Sequence, residues 1–314
     1  MRIIGFSVFL GLSLFSQLLL AGSSGAPEKD SDASWNSRMI ELKELTRRLV
    51  PAVFSLTEFE RVKNDESLEK DIKRFSELTH KVNVKANSKD AQLPTSDPSL
   101  RFVSELLQEN SQRAYSAFKS GQKEYARGLI KQSLGFCFSC HTTGRFGPRF
   151  DDKEEAAVLK GLGDLDKADF YVATRRFDKA YGLYESAVAK KKNVENIPLE
   201  WQRGLRNALA LTVRVQNNSQ AAKKLLATAA NVTKKGDQMF SEDIRAWQKG
   251  VDLWSGEQKR YVDPGSALKH IELIRRLAKS AEKRKKYPAD RSAEVENLRL
   301  SASCHEFLQM YLPP

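Results

Sequence analysis

Cys137-Phe138-Ser139-Cys140-His141 constrains this chain more than any other stretch. C-x-x-C-H is the attachment pattern of c-type haem. The chemistry demands that spacing: two thiols reach the two vinyl groups on one edge of a porphyrin, and the imidazole that follows the second Cys sits under the iron as axial ligand. A helical turn places all three groups on one side of the chain. A thioredoxin-like redox site shares the C-x-x-C half of the pattern, but it belongs where a strand enters a helix, and nothing around Cys137 reads as a strand. A zinc site needs further Cys or His nearby. The whole chain has 3 Cys and 4 His and no second pair to supply them.

The N-terminus gives an independent argument. Met1-Arg2 precedes an almost unbroken apolar run from Ile3 to Leu20, and small residues follow from Ala21 to Ala26. A positive start, an apolar run and a small-residue zone describe a secretory signal peptide, here residues 1–23. Cleavage is expected between Ala21 and Ser24, because Pro27 disfavours cleavage after Ala26. The apolar run is long enough that an uncleaved anchor stays open; after cleavage no membrane span is expected. No Cys lies near the cleavage zone, which excludes a bacterial lipoprotein. Export agrees with the haem pattern, since bacterial c-type haem is attached outside the cytoplasm; the expected location is the periplasm. The net charge of +12 would suggest nucleic acid in a cytoplasmic protein. An exported chain meets acidic proteins, anionic lipid or a polyanionic envelope instead, and the same charge also serves solubility.

Hydrophobic periodicity predicts an all-α chain of two parts. Residues 34–150 read as four amphipathic helices. The first carries Trp35, Met39, Leu42, Leu45 and Leu49 and is expected to stop before Pro51. The second carries Leu68, Ile72, Phe75, Leu78 and Val82, with Ser67 as its expected N-cap. A polar loop covers Lys85 to Thr95. The third has Asp97 as N-cap, Pro98 as first helical residue and Gly121 as C-terminal stop, with Leu100, Val103, Leu107, Ala114 and Phe118 between. The fourth runs from about Gln122 through Tyr125, Leu129 and Phe136 to Gly144. Four helices of this length can bury one haem between them.

With C-x-x-C-H near the end of the fourth helix, this part resembles the cytochrome c-prime family. The resemblance implies a haem in a four-helix bundle, a basic residue four places after the ligand His (here Arg145), and an aromatic residue before it, where this chain has Gly144. Low-spin relatives in that family take a distal ligand from a Met on the first helix, which points to Met39.

Residues 155–314 differ. Asp169 to Ala173, then Arg175 to Tyr181, Leu183, Tyr184 and Ala187 set small and aromatic residues at offsets that resemble a tetratricopeptide repeat. Weaker copies cover Ala208 to Ala230, with Ser219 to Leu226 opening a second helix, and Trp247 to Ala278, with Pro264 to Leu268 before the second helix. The spacing exceeds the usual repeat, so the expectation is an α-solenoid-like domain, with an ordinary helical bundle as the alternative.

Cys137 and Cys140 are therefore read as the covalent attachment points of one haem c, and His141 as the proximal ligand. Met39, the only Met of this part apart from Met1, is the preferred distal ligand; filling core space beside the haem is its bland alternative. His80 is the only other His there, and a His near a helix end is more often solvated. With Met39 bound the iron is six-coordinate and suited to one-electron transfer; with no sixth ligand it would take a small gas such as nitric oxide. An enzyme, such as a peroxidase, is disfavoured because only His80 could offer distal imidazole chemistry. Ser301-Ala302-Ser303-Cys304-His305 looks like a haem motif whose first Cys has become Ser, and is otherwise an unpaired Cys. Lys283-Arg284-Lys285-Lys286, flanked by Arg275, Arg276, Lys279 and Arg291, could dock an acidic redox partner or form a solvated helix end. The sequence leaves the oligomeric state open.

Overall fold

The computed structural model describes residues 34–83, 98–143, 158–233, 238–258, 267–284 and 293–301, and every regular element among them is helical. Helix α1 spans Trp35–Phe54, opened by Ser34, whose hydroxyl accepts from the Ser37 amide at 3.3 Å. The expected stop before Pro51 is wrong: Pro51 lies inside α1. An interior proline costs about 3 kcal/mol. Ala52, Val53 and Phe54 are all buried, and a large apolar side chain contributes about 1.5–3 kcal/mol on burial, so the core holds the helix through the proline. Ser55 then ends α1 and caps α2, Leu56–Val62, accepting from the Glu58 amide at 3.2 Å. This short helix was not anticipated, although Ser55-Leu56-Thr57-Glu58 is a capping-box pattern.

Helix α3 spans Glu66–Lys81. Its N-cap is Asp65, not Ser67, because the Asp65 carbonyl already accepts from Leu68 and Glu69 at 3.1 and 3.4 Å. Helix α4 spans Pro98–Lys119 and begins at the expected proline; the expected cap Asp97 and the loop at Lys85 to Thr95 lie outside the described residues. It ends as expected at Gly121, which has φ +85°. The Gly121 amide bonds to Phe118 O at 3.1 Å and the Gln122 amide to Ala117 O at 2.9 Å, the paired bonds of a Schellman motif. Helix α5, Lys123–Thr143, follows directly.

Helices α1, α3, α4 and α5 pack round a first core that includes Leu45, Leu49, Ile72, Phe75, Ala114 and Phe118. Polar contacts fix their registers. Arg48 reaches Asp71 at 2.8 Å and Arg74 reaches Glu41 at 2.7 Å, which sets α1 antiparallel to α3. Buried Asn110 of α4 donates to Leu129 O at 2.6 Å and Ser133 Oγ at 2.9 Å on α5.

The later helices are α6 (Asp164–Ala173), α7 (Phe177–Ala189), α8 (Lys191–Asn196), α9 (Pro198–Ala210), α10 (Ser219–Val232), α11 (Gln238–Gln258) and α12 (Ala267–Arg284). A last helical stretch, α13, covers 293–301. The helix pair expected across Asp169 to Ala187 is α6 and α7, and Ala180, Tyr184 and Ala187 are buried between neighbours. Asn218 caps α10, accepting from Gln220 and Ala221 at 3.1 and 3.0 Å. Helices α11 and α12 cover the third expected copy; Pro264, Gly265 and Ser266 lie outside the described residues. At Gly204 of α9 a Cβ would lie 2.5 Å from Leu165 Cδ2, so the glycine permits close approach of α9 and α6.

Trp201, Trp247, Trp254 and Tyr184 anchor a second core. Helix α6 serves both: Phe170 and Ala173 join the first core, Leu165, Ala168 and Val172 the second. Leu159 and Leu162 also join the first core, and the described residues from Ser34 onward form one compact unit. Among the described residues no helix is long and apolar enough to cross a membrane. Residues 1–33, with the expected signal peptide, lie outside the described residues.

Candidate functional site

Cys137, Cys140 and His141 lie in the last two turns of α5, and their i, i+3, i+4 spacing sets them on one face. Neither thiol is in a disulfide, and both are half-buried. Cys137 packs against the first core, while its neighbour Phe138 packs against the second, so the motif sits where the two cores meet.

Burial pushes the Cys137 thiol up to about 12. A dithiol redox site works in the opposite sense: it lowers a thiol pKa, commonly at a helix N-terminus. Here the pair lies at a helix C-terminus, where the helix dipole disfavours a thiolate. The Cys137 thiol is held protonated, which suits addition to a vinyl group during maturation better than disulfide exchange.

His141 is turned towards the C-terminal end of α6. Its Nδ1 lies 3.4 Å from the Val172 carbonyl oxygen. Burial, then the positive charge of Arg175, lower its pKa to about 4 against the opposing hydrogen bonds to the Val172 and Ala173 carbonyls. The ring is therefore neutral at physiological pH. A neutral imidazole whose Nδ1–H faces a backbone carbonyl presents Nε2 as the ligating nitrogen. Two thiols and one such imidazole on a single helical face form the donor set that a covalent haem requires, so these residues fit the group.

The carbonyl behind His141 is held by a turn. The Arg175 amide bonds to Val172 O at 2.9 Å and the Arg176 amide to Tyr171 O at 2.7 Å, a second Schellman motif. Its left-handed position is Arg175 at φ +59°, where glycine is the usual residue. Burial lowers the Arg175 pKa. Thr142, next to the ligand, donates to Phe138 O at 2.8 Å and accepts from Arg214 Nη1 at 3.3 Å. Sequence reasoning missed Val172, Arg175 and Arg214 as neighbours of the motif. Arg175 was visible in the repeat-like segment, but only the fold brings it to His141.

Met39 is half-buried and packs against the same apolar cluster as Cys137. His80 is exposed in the last turn of α3, as the solvated reading expected. Arg275 and Lys279 are exposed on α12 and Arg276 is half-buried. Cys304, His305, Arg145, Lys285, Lys286 and Arg291 lie outside the described residues. Among the described residues no three His, Cys, Asp or Glu side chains gather into a group that could hold a bare metal ion. No family model, no curated protein and no solved structure matches the chain.

Proposed function

We propose that the chain is an exported c-type cytochrome that carries one covalent haem c and transfers single electrons in the periplasm. The observation that carries this reading is the C-x-x-C-H face of α5, with His141 neutral and its Nδ1 against the Val172 carbonyl. When bound, the haem supplies one-electron exchange at its iron. Cys137 and Cys140 hold the porphyrin edge through thioethers, and His141 gives Nε2 to the iron. The turn at Val172 to Arg176 fixes the imidazole's tautomer and orientation. The apolar side chains around Cys137 limit water access, which raises the potential by disfavouring the charged ferric state. Met39 is the proposed distal ligand; a thioether there stabilises ferrous iron.

The N-terminal helices fill the role of a cytochrome c-prime-like haem bundle. The helices after α5 fill that of an α-solenoid-like partner-binding region, in which the cations of α12 favour an acidic redox protein. No chemistry on a substrate is required, so an enzymatic role is not proposed.

The optical spectrum of the protein, ferric and then dithionite-reduced, tests this reading. Sharp, split low-spin bands on reduction, with the weak far-red band of Met-ligated ferric haem beforehand, are expected. Broad high-spin bands would contradict Met39 and point to an open iron that binds a small gas such as nitric oxide. No haem absorbance from a host competent in cytochrome c maturation would contradict the whole reading.

A further inference from the structure

The other side of α5 carries a second site. A cavity of about 590 Å³ is walled by Lys131, Gly135, Phe138 and Ser139 of α5 and by residues of α6, α9, α13 and the segment that continues α9. At roughly 100° per residue, the α5 lining residues 131, 132, 134, 135, 138 and 139 centre about 150° round the helix from Cys137, Cys140 and His141. A porphyrin held by Cys137, Cys140 and His141 would lie on the other face.

The lining is cationic beyond its internal pairing. Lys131, Arg203, Arg206 and Arg214 face two carboxylates, Asp169 and Glu294. Both carboxylates are engaged. Asp169 accepts from Arg203 and from the Tyr184 hydroxyl at 2.5 Å. Glu294 accepts from Trp247 Nε1 at 2.7 Å. Lys131 pairs with Asp166 at 3.5 Å. Arg206 is exposed.

Arg214 is the exception. It is half-buried, and burial lowers its pKa to about 10. Its Nη1 donates to the Thr142 hydroxyl, a neutral acceptor, and its Nε has no hydrogen-bond partner among the described residues. A guanidinium stays protonated in proteins, so the fold draws a cation partly out of water. Among the described residues no carboxylate pairs with it, and a buried cation without a counter-charge is unfavourable. The backbone here is unusual too: Leu211–Val215 form a π-helical turn, an element found mostly at functional sites. That turn places Arg214 in the cavity opposite Phe138.

We propose that this cavity binds a small organic anion, a phosphate or carboxylate carried on an apolar ring or chain. The anionic group takes the open donors of Arg214, with Arg206 and Asn207 beside it, and the apolar body lies against Phe138, Leu134 and Leu209. The volume lies in the range of small-molecule sites. The proposal does not depend on the haem reading.

Isothermal titration calorimetry of the purified full chain tests it, with phenyl phosphate and benzoate as probes and benzyl alcohol and inorganic phosphate as partial probes. One site for phenyl phosphate is expected, with either partial probe at least tenfold weaker. Benzoate binding at the same site would assign it to carboxylates as well; its absence would restrict it to phosphates. Arg214→Gln should weaken phenyl phosphate at least tenfold. The exposed Arg206→Gln, which leaves the enclosed residues alone, should weaken it several-fold. Equal affinity in wild type and both variants would overturn the proposal, as would binding that disappears when haem is attached, since the cavity would then belong to the haem.

Discussion

Helix α5 presents two faces that solve opposite problems. On the Cys137, Cys140 and His141 face the titratable groups Cys137 and His141 are kept neutral. Burial holds the Cys137 thiol protonated and the His141 imidazole uncharged, and a backbone carbonyl orients the ring. On the Phe138 and Ser139 face the fold half-buries a guanidinium whose Nε has no partner among the described residues. Burying neutral groups beside an apolar core costs little, whereas burying an unmatched cation costs several kcal/mol. The first face has what a covalent, largely apolar ring needs. The second is complete only with an anion. One helix can carry both because its neighbours differ: the first core on one side, α9 and its π-helical continuation on the other.

The largest test separates the faces outright. His141→Ala should abolish the normal axial ligation and most of the holo-protein, read as loss of the split reduced bands. Arg214→Met, across the cavity on the other side of α5, should leave that spectrum unchanged. A spectrum altered by both would show that the faces act as one site.

The next test uses pH on protein made without haem. His141 has a folded pKa of about 4 against 6.5 when unfolded, so between these values the unfolded chain binds more protons. Stability is complete above pH 6.5, falls as pH drops towards 4 and is flat in this term below that. The loss is up to roughly 3 kcal/mol. Urea midpoints from pH 7 to pH 4 should trace it, and His141→Phe should remove most of the slope. An unchanged slope in the variant would show that the imidazole is already solvated.

Arg214→Met should raise stability by about 1 kcal/mol without added anion, since it removes an uncompensated cation while Thr142 keeps its bond to Phe138 O. A loss of 2 kcal/mol or more, on the order of a broken buried pair, would show that the guanidinium has an internal partner.

The smallest effect compares the two Schellman turns. Gly121 accommodates φ +85° without strain, whereas Arg175 holds φ +59° with a side chain. Arg175→Gly should relieve about 1 kcal/mol of backbone strain and raise the urea midpoint accordingly. A lowered midpoint would mean that the Arg175 side chain contributes more than its backbone costs.

What could be read from the sequence was local. Cys137 to His141, Pro98 and Gly121 carry their meaning within one or two turns, and they stand where their spacing placed them. Ser67 and Pro51 misled for the same reason. Local propensity put a cap at Ser67 and a stop at Pro51, but the Asp65 carbonyl opens α3 earlier and burial of Ala52, Val53 and Phe54 carries α1 onward. The carbonyl behind His141 lies 31 residues away along the chain, and the guanidinium beside Thr142 lies 72 away. Neither has a sequence signal, because only the packing of α6 and α9 on α5 brings them there. The π-helical turn that aims Arg214 is likewise silent in the sequence.

The central claim is that Cys137, Cys140 and His141 hold one covalent haem, and the intact mass of the protein purified from a host competent in cytochrome c maturation tests it most directly. The account predicts the mass of the mature chain plus one haem, retained after denaturation. The mass of the bare chain, or of the chain less the two hydrogens of a Cys137–Cys140 disulfide, would contradict it.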